Sequence, residues 1–208
     1  MSILQKAFTT YKSEQGRGIY KNLSYRYIYE NILVPYRDKE VVLVEIGIGY
    51  GGCLQMWKDY LGPKAKIYGI DEKDHLCYEE ERIKCFIGNQ EDRDFLRKVK
   101  ESIPPIDILI DDGSHYPSDQ IASFEELFLH INPHGIYICE DVHTSYRPLY
   151  NGGYKKQGTF IEYCKDIVDA LHYTENGNIP INDILKGVYS ITFYSALVVI
   201  KKVGQFDV

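Results

Sequence analysis

The sequence predicts an α/β protein: a single doubly wound, mostly parallel sheet with an antiparallel strand near the C-terminus. Three observations carry this. From residue 40 onward, short β-branched apolar runs alternate with helical stripes, the pattern of βαβ units with right-handed crossovers. The runs are continuous rather than alternating, as strands buried on both faces require. The last two runs, Val188–Tyr194 and Ala196–Lys201, have almost no linker, and two strands so close can only pair antiparallel.

Five earlier runs read as parallel strands: Val41–Ile46, Lys66–Ile70, Ile83–Ile87, Ile106–Ile110 and Gly135–Cys139. Helices fit between them. Gly52–Tyr60 is one. Asp92–Lys100 carries Phe95, Leu96 and Val99 on its apolar side. Ser118–Leu129 carries Ile121, Phe124, Leu127 and Phe128, and Lys156–His172 carries Phe160, Ile161, Cys164, Ile167, Val168 and Leu171. These 3.6-period stripes read as core contacts. Residues 1–39 read as a helical or irregular N-terminal cap. Residues 142–155, with Pro148, Gly152 and Gly153, read as a long loop, a length often functional in compact domains.

The 208 residues are 44% hydrophobic and 26% charged, ordinary for a globular protein. The net charge of −6 argues against a nucleic-acid partner, which needs a basic face. No apolar run approaches the ~18 residues of a membrane span. Met1–Gln15 lacks the apolar core of a signal peptide, so a cytoplasmic location is expected. Cys53, Cys77, Cys85, Cys139 and Cys164 form no CxxC pair and read as small buried hydrophobes in a reducing compartment. Of 19 tyrosines, seven fall between Tyr11 and Tyr50, without fixing a ligand.

Two segments carry the chemistry. Ile108-Leu-Ile-Asp111-Asp112-Gly-Ser-His115 and Tyr137-Ile-Cys-Glu140-Asp141-Val-His143 are each an apolar run ending in two carboxylates, with a histidine shortly after. Neighbouring strands would bring four acids and two imidazoles to one sheet rim. Carboxylates at that density repel unless a cation neutralises them. A hard divalent metal with a base beside it follows. His115, three residues after Asp112, is placed as general base; His143 is placed as a supporting or substrate contact, as are Tyr146 and Arg147 in the loop.

A second signal is Glu45-Ile-Gly47-Ile-Gly49-Tyr-Gly51-Gly52, where Gly47, Gly49 and Gly52 satisfy GxGxxG and Asp71 ends the second strand about 20 residues on. That is the dinucleotide fingerprint, so an NAD-dependent oxidoreductase is one reading. S-adenosylmethionine (SAM) is the other: it binds the same crevice and also needs an acid for its ribose. Glu45 before the loop, Asn89-Gln90 closing the third strand, and an acidic rim that hydride transfer does not need all favour SAM. A non-catalytic SAM- or metal-binding protein is a third reading.

In order along the chain stand Glu45-Ile-Gly-Ile-Gly, Cys53-Leu-Gln-Met-Trp57, Ile67-Tyr-Gly-Ile-Asp71, Gly88-Asn-Gln90, Ile110-Asp-Asp-Gly-Ser-His115 and Glu140-Asp-Val-His-Thr-Ser-Tyr146. Together, over residues 40–155, they resemble the metal-dependent class I SAM O-methyltransferases that act on macrolide sugars, the mycinamicin methyltransferase type, with cephalosporin-hydroxylase-like proteins as relatives. The resemblance implies a Rossmann-like SAM-dependent methyltransferase domain over 40–208. It implies Mg²⁺ (or Mn²⁺) held by Asp112, Glu140 and Asp141, and His115 as base. It implies a SAM pocket lined by Glu45, Gly47, Asp71, Gln90 and Asp111, to which the glycine loop adds Gly49. The expected acceptor is a sugar or other small molecule, and a homodimer is expected from class habit. Two departures stand out. Asn89 replaces the family's aspartate before Gln90, and Arg147 replaces a tryptophan after Ser-Tyr, which bears on the substrate side.

Overall fold

Successive helices and strands follow the apolar runs of the sequence closely, with differences that have local causes. A computed structural model describes residues 1–74, 78–172 and 182–204; His75 and Cys77 lie outside them. The chain divides into two compact units, Met1–Asn89 and Gln90–Val208.

The first unit begins with α1 (Ile3–Thr10) and α2 (Tyr25–Leu33), followed by a 3-10 turn at Val34–Tyr36. The cap segment is therefore largely helical. Ser2 starts α1, its side chain accepting from the Gln5 amide, as an N-cap does. Next come β1 (Val42–Ile46), α3 (Gly52–Leu61), β2 (Lys66–Asp71) and β3 (Ile83–Ile87). β1 pairs with β2 and β2 with β3, all parallel. Every residue of β1, Glu45 included, is buried, as in a strand covered on both faces. Leu54, Met56, Trp57 and Leu61 of α3 pack into this unit's core with Leu4, Phe8, Tyr25 and Tyr29 of the cap.

The second unit holds α4 (Arg93–Ser102), β4 (Ile106–Asp111), α5 (Pro117–Leu127), β5 (Ile131–Glu140), α6 (Phe160–Leu171), α7 (Asp183–Lys186), β6 (Val188–Tyr194) and β7 (Leu197–Lys202). β4 and β5 are parallel; β7 is antiparallel to both β5 and β6. The seven strands carry the order β3-β2-β1-β4-β5-β7-β6. The expected mostly parallel sheet with an antiparallel strand near the C-terminus is the observed one.

Several boundaries move, among them the start of β5, at Ile131 rather than Gly135. Asp92 caps α4 from outside, accepting from the amides of Asp94 and Phe95. α6 starts at Phe160 rather than Lys156, because Gly158 adopts φ +80° and Thr159 is the N-cap, with Glu162 three residues on as in a capping box. Residues 142–155 are no open loop: 3-10 turns at Val142–Tyr146 and Pro148–Tyr150 are closed by Gly152 and Gly153, whose amides donate to the carbonyls of Arg147 and Ser145 at 2.9 Å. A Cβ on Gly152 would lie 2.4 Å from the Thr144 carbonyl oxygen, so only glycine closes this loop. The four described cysteines are buried free thiols, as expected.

Candidate active site

The two acid pairs meet the same fate for the same reason. β4 ends at Asp111 and β5 ends at Glu140, so the first acid of each pair is the last residue of its strand and the second begins the turn. Both strands are covered on both faces up to their ends: Ile110 and Cys139 are at 0% exposure, Asp111 and Glu140 at 0% and 1%, while Asp112 and Asp141, past the strand ends, are partly exposed.

Asp112, Asp141 and His115 converge: one ligand atom from each lies within 4.8 Å of the others. His115 Nε2 is 3.7 Å from Asp141 Oδ2 and 4.0 Å from Asp112 Oδ1, and His143 Nδ1 is 3.8 Å from Asp141 Oδ1. These separations exceed hydrogen-bond length. They suit groups arranged about a common centre, since ligands at about 2.1 Å from one Mg²⁺ lie roughly 3–4 Å from each other. His115 Nδ1 is buried with no hydrogen-bond partner among the described residues. Two hard carboxylates from adjacent strand ends are a donor set that fits magnesium. Glu140 is not in this group; the expected third ligand is a buried strand residue, and the Gln120 amide donates to its backbone oxygen at 3.2 Å.

Backbone conformation aims this cluster. His115 and Asp141 have φ of +61° and +52°, in the left-handed region where histidine and aspartate are tolerated better than most residues. Such conformations persist where the surroundings over-determine them. Thr144 does so: its hydroxyl donates to the His115 carbonyl at 2.8 Å and its amide to the Asp141 carbonyl at 3.0 Å. Thr144 sits inside a motif visible in the sequence, yet nothing in its type or spacing signals a role that depends on tertiary folding.

Asp111 and Gln90, expected at the cofactor, bind each other. Gln90 Nε2 donates to both Asp111 oxygens at 2.8 and 2.9 Å, Tyr137 Oη donates to Asp111 Oδ2 at 2.8 Å, and Gln90 Oε1 accepts from the Ser114 amide at 2.9 Å. Burial pushes the Asp111 carboxyl above the usual range, against the pull of its bonds from Tyr137, Gln90 and the Gly113 amide. Through Ser114 this network ties the strand end to the turn that carries His115. Tyr116 and Tyr150, with ring centres 5.4 Å apart, stand in the turns after each acid pair. Tyr146 and Arg147 are exposed, as loop candidates for an acceptor would be.

In the first unit the glycine loop follows β1. Gly47, Gly49 and Gly51 have φ of +90°, +54° and +74°, which glycine adopts without strain. A Cβ on Gly49 would meet nothing within 4 Å, whereas one on Gly52 would lie 2.3 Å from the Gly18 carbonyl oxygen, to which the Gly52 amide donates at 3.1 Å. Asp71 is the staple of this loop: Oδ2 accepts from the amides of Ile48 (2.8 Å) and Gly49 (3.3 Å), and Oδ1 from Lys73 (3.0 Å). Glu45 is fully buried and ion-paired with Lys21 at 3.0 Å, a partner from the cap segment that lies outside the recognisable motifs.

No protein-family model matches the chain. It is 36% identical over 190 residues to the 8-demethyl-8-alpha-L-rhamnosyl tetracenomycin-C 2'-O-methyltransferase of Streptomyces olivaceus, covering 86% of this chain and 50% of that protein. It is 37% identical over 157 residues to the mycinamicin VI 2''-O-methyltransferase of Micromonospora griseorubida, covering 71% of this chain and 39% of that one. The solved structure of the MycE methyltransferase of the mycinamycin biosynthetic pathway, in complex with Mg, SAH and mycinamycin VI, matches with a TM-score of 0.87 at 30% identity, over 98% of this chain and 54% of that one. The chain thus spans about half the length, or less, of the curated relatives it matches. No described helix is long and apolar enough to cross a membrane. By sequence and by fold, the chain is a homologue of the sugar O-methyltransferases of the mycinamicin type and has their class I methyltransferase fold.

Proposed function

We propose that this protein transfers a methyl group from SAM to a sugar hydroxyl, with a divalent cation, Mg²⁺ or Mn²⁺, in the site. The observation that carries the reading is the convergence of Asp112, Asp141 and His115 from two adjacent strand ends. When bound, SAM supplies an electrophilic methyl group and the cation gathers and acidifies acceptor oxygens. Asp112 and Asp141 hold the cation; Glu140 is the third ligand on the family match alone. His115 Nε2 takes the acceptor proton. His143, beside Asp141, orients that carboxylate. Glu45, Gly47, Gly49, Asp71, Gln90 and Asp111 serve the SAM pocket: the loop glycines by close backbone approach, Asp71 at the ribose, Gln90 and Asp111 by fixing the pocket wall.

The same reading has a cytoplasmic homodimer, with residues 40–208 as the methyltransferase domain and 1–39 as its cap. Its acceptor is a small glycosylated molecule, supported by the acceptors in the relatives' names and by the net charge of −6. The test is methyl transfer from SAM to a panel of rhamnosylated and macrolide-sugar acceptors, with and without chelator. Turnover that requires Mg²⁺ or Mn²⁺ is expected; turnover undiminished by excess chelator overturns the metal role. A thermal shift by NAD and none by S-adenosylhomocysteine (SAH) overturns the cofactor in favour of an oxidoreductase.

A further inference from the structure

Lys21 and Glu45 form an ion pair at 3.0 Å with both side chains at 0% exposure. The Lys21 ammonium also lies 5.9 Å from the ring centres of Tyr29 and Trp57, which are themselves 4.9 Å apart. Lysine is almost never fully buried unless paired. Desolvating such a pair costs several kcal/mol per ion, and an apolar pair of equal volume often serves stability as well. Stability alone is therefore a weak reason for this pair, and its location supplies a better one. Glu45 immediately precedes Ile46 and the first two glycines of the loop. The chain leading to Lys21 is fastened to the far end of the same loop, where Gly18 accepts from the Gly52 amide and Ser13 Oγ donates to Gln55 Oε1 at 2.7 Å. The cap segment thus delivers a cation to the acid that immediately precedes the loop.

We propose that Lys21 is a positioning residue for the amino-acid end of the methyl donor: it fixes the direction of the buried Glu45 carboxylate and, through it, the Ile46–Gly49 backbone against which that end of the donor lies. This rests on the SAM reading given above. The chemistry separates Lys21's role from general loop stability. SAH carries the zwitterionic amino-acid end, whereas 5′-methylthioadenosine has the same adenine, ribose and thioether without it.

The experiment is calorimetric titration of both ligands into wild type, Lys21→Met, Lys21→Arg and the charge-free double variant Lys21→Met/Glu45→Gln. Loss of one charge-assisted interaction predicts SAH binding weaker by about 10- to 100-fold in Lys21→Met, with 5′-methylthioadenosine affinity unchanged and Lys21→Arg restoring SAH binding. The double variant buries no lone charge, so it keeps the test open where the single variant fails to fold; it shows the same selective loss. The proposal is overturned where the variants keep the wild-type preference for SAH, or where both ligands weaken together. Wild type binding neither ligand overturns the SAM reading itself.

Discussion

Gly52→Ala and Gly49→Ala separate two uses of glycine within one loop. At Gly52 an added methyl would lie 2.3 Å from the Gly18 oxygen and 2.6 Å from the Arg17 oxygen. Both obstacles are backbone, so the strand-like segment at 17–18 must retreat by about 1 Å, and the 3.1 Å bond from the Gly52 amide to Gly18 is lost with it. Overpacking of this kind costs about 1–3 kcal/mol and the bond about 1 kcal/mol. Alanine's better helix propensity at the start of α3 returns about 1 kcal/mol. The net expectation is a loss of about 1–3 kcal/mol, a sizeable part of the ~5–15 kcal/mol that holds a domain folded. At Gly49 the methyl would meet nothing, and only φ +54° opposes it, at about 1 kcal/mol. Urea denaturation of both variants reads these losses, and SAH titration reads the second use: Gly49→Ala should cost affinity out of proportion to its stability loss, because its open side is where a ligand backbone contact fits. A Gly52→Ala midpoint equal to wild type, or a Gly49→Ala protein less stable than Gly52→Ala, would refute the reasoning.

Further expectations follow from the second unit. His115→Ala should lower kcat by about 10²–10⁴-fold, the range for losing a general base, while His143→Ala costs less; steady-state kinetics at saturating SAM decide this, and equal losses would move the base assignment. Thr144→Val removes the bond to the His115 carbonyl and should cost about 1 kcal/mol of stability and lower turnover, with SAH affinity unchanged by calorimetry. Glu126 is bonded by Arg97 and Arg93, which hold its carboxyl below the usual range. A depressed carboxyl stabilises the fold above the unfolded-state value and loses that contribution as pH falls through the folded one. Glu126→Gln should thus be about 1 kcal/mol less stable at pH 7 and converge on wild type from about pH 4 downward, as read by denaturation at a series of pH values.

The sequence made the sheet legible because buried parallel strands leave largely apolar runs such as Val42–Ile46, and because Val188–Tyr194 and the run after it allowed one geometry only. The acid pairs were equally visible, but not their division of labour. Burial along β4 and β5 runs to their last residues, Asp111 and Glu140, and leaves Asp112 and Asp141 to the turns, a consequence of the residue at which each strand stops, which apolar runs mark only to within a residue or two. Lys21 was out of reach for a different reason. A lysine in a polar, tyrosine-rich segment reads as solvated, and only the fold of the cap buries it against Glu45. Thr144, likewise, acts through a carbonyl 29 positions away in sequence.

The central claim is that the second acid of each pair forms a divalent-cation site beside His115. Electron paramagnetic resonance of free Mn²⁺, titrated with wild type and with Asp112→Asn and Asp141→Asn in the presence of SAH, tests it most directly. The account predicts one Mn²⁺ bound per chain in wild type, displaced by Mg²⁺, and none in either variant at the same concentrations. Binding that survives both substitutions, or a wild-type protein that leaves the Mn²⁺ signal untouched, would contradict it.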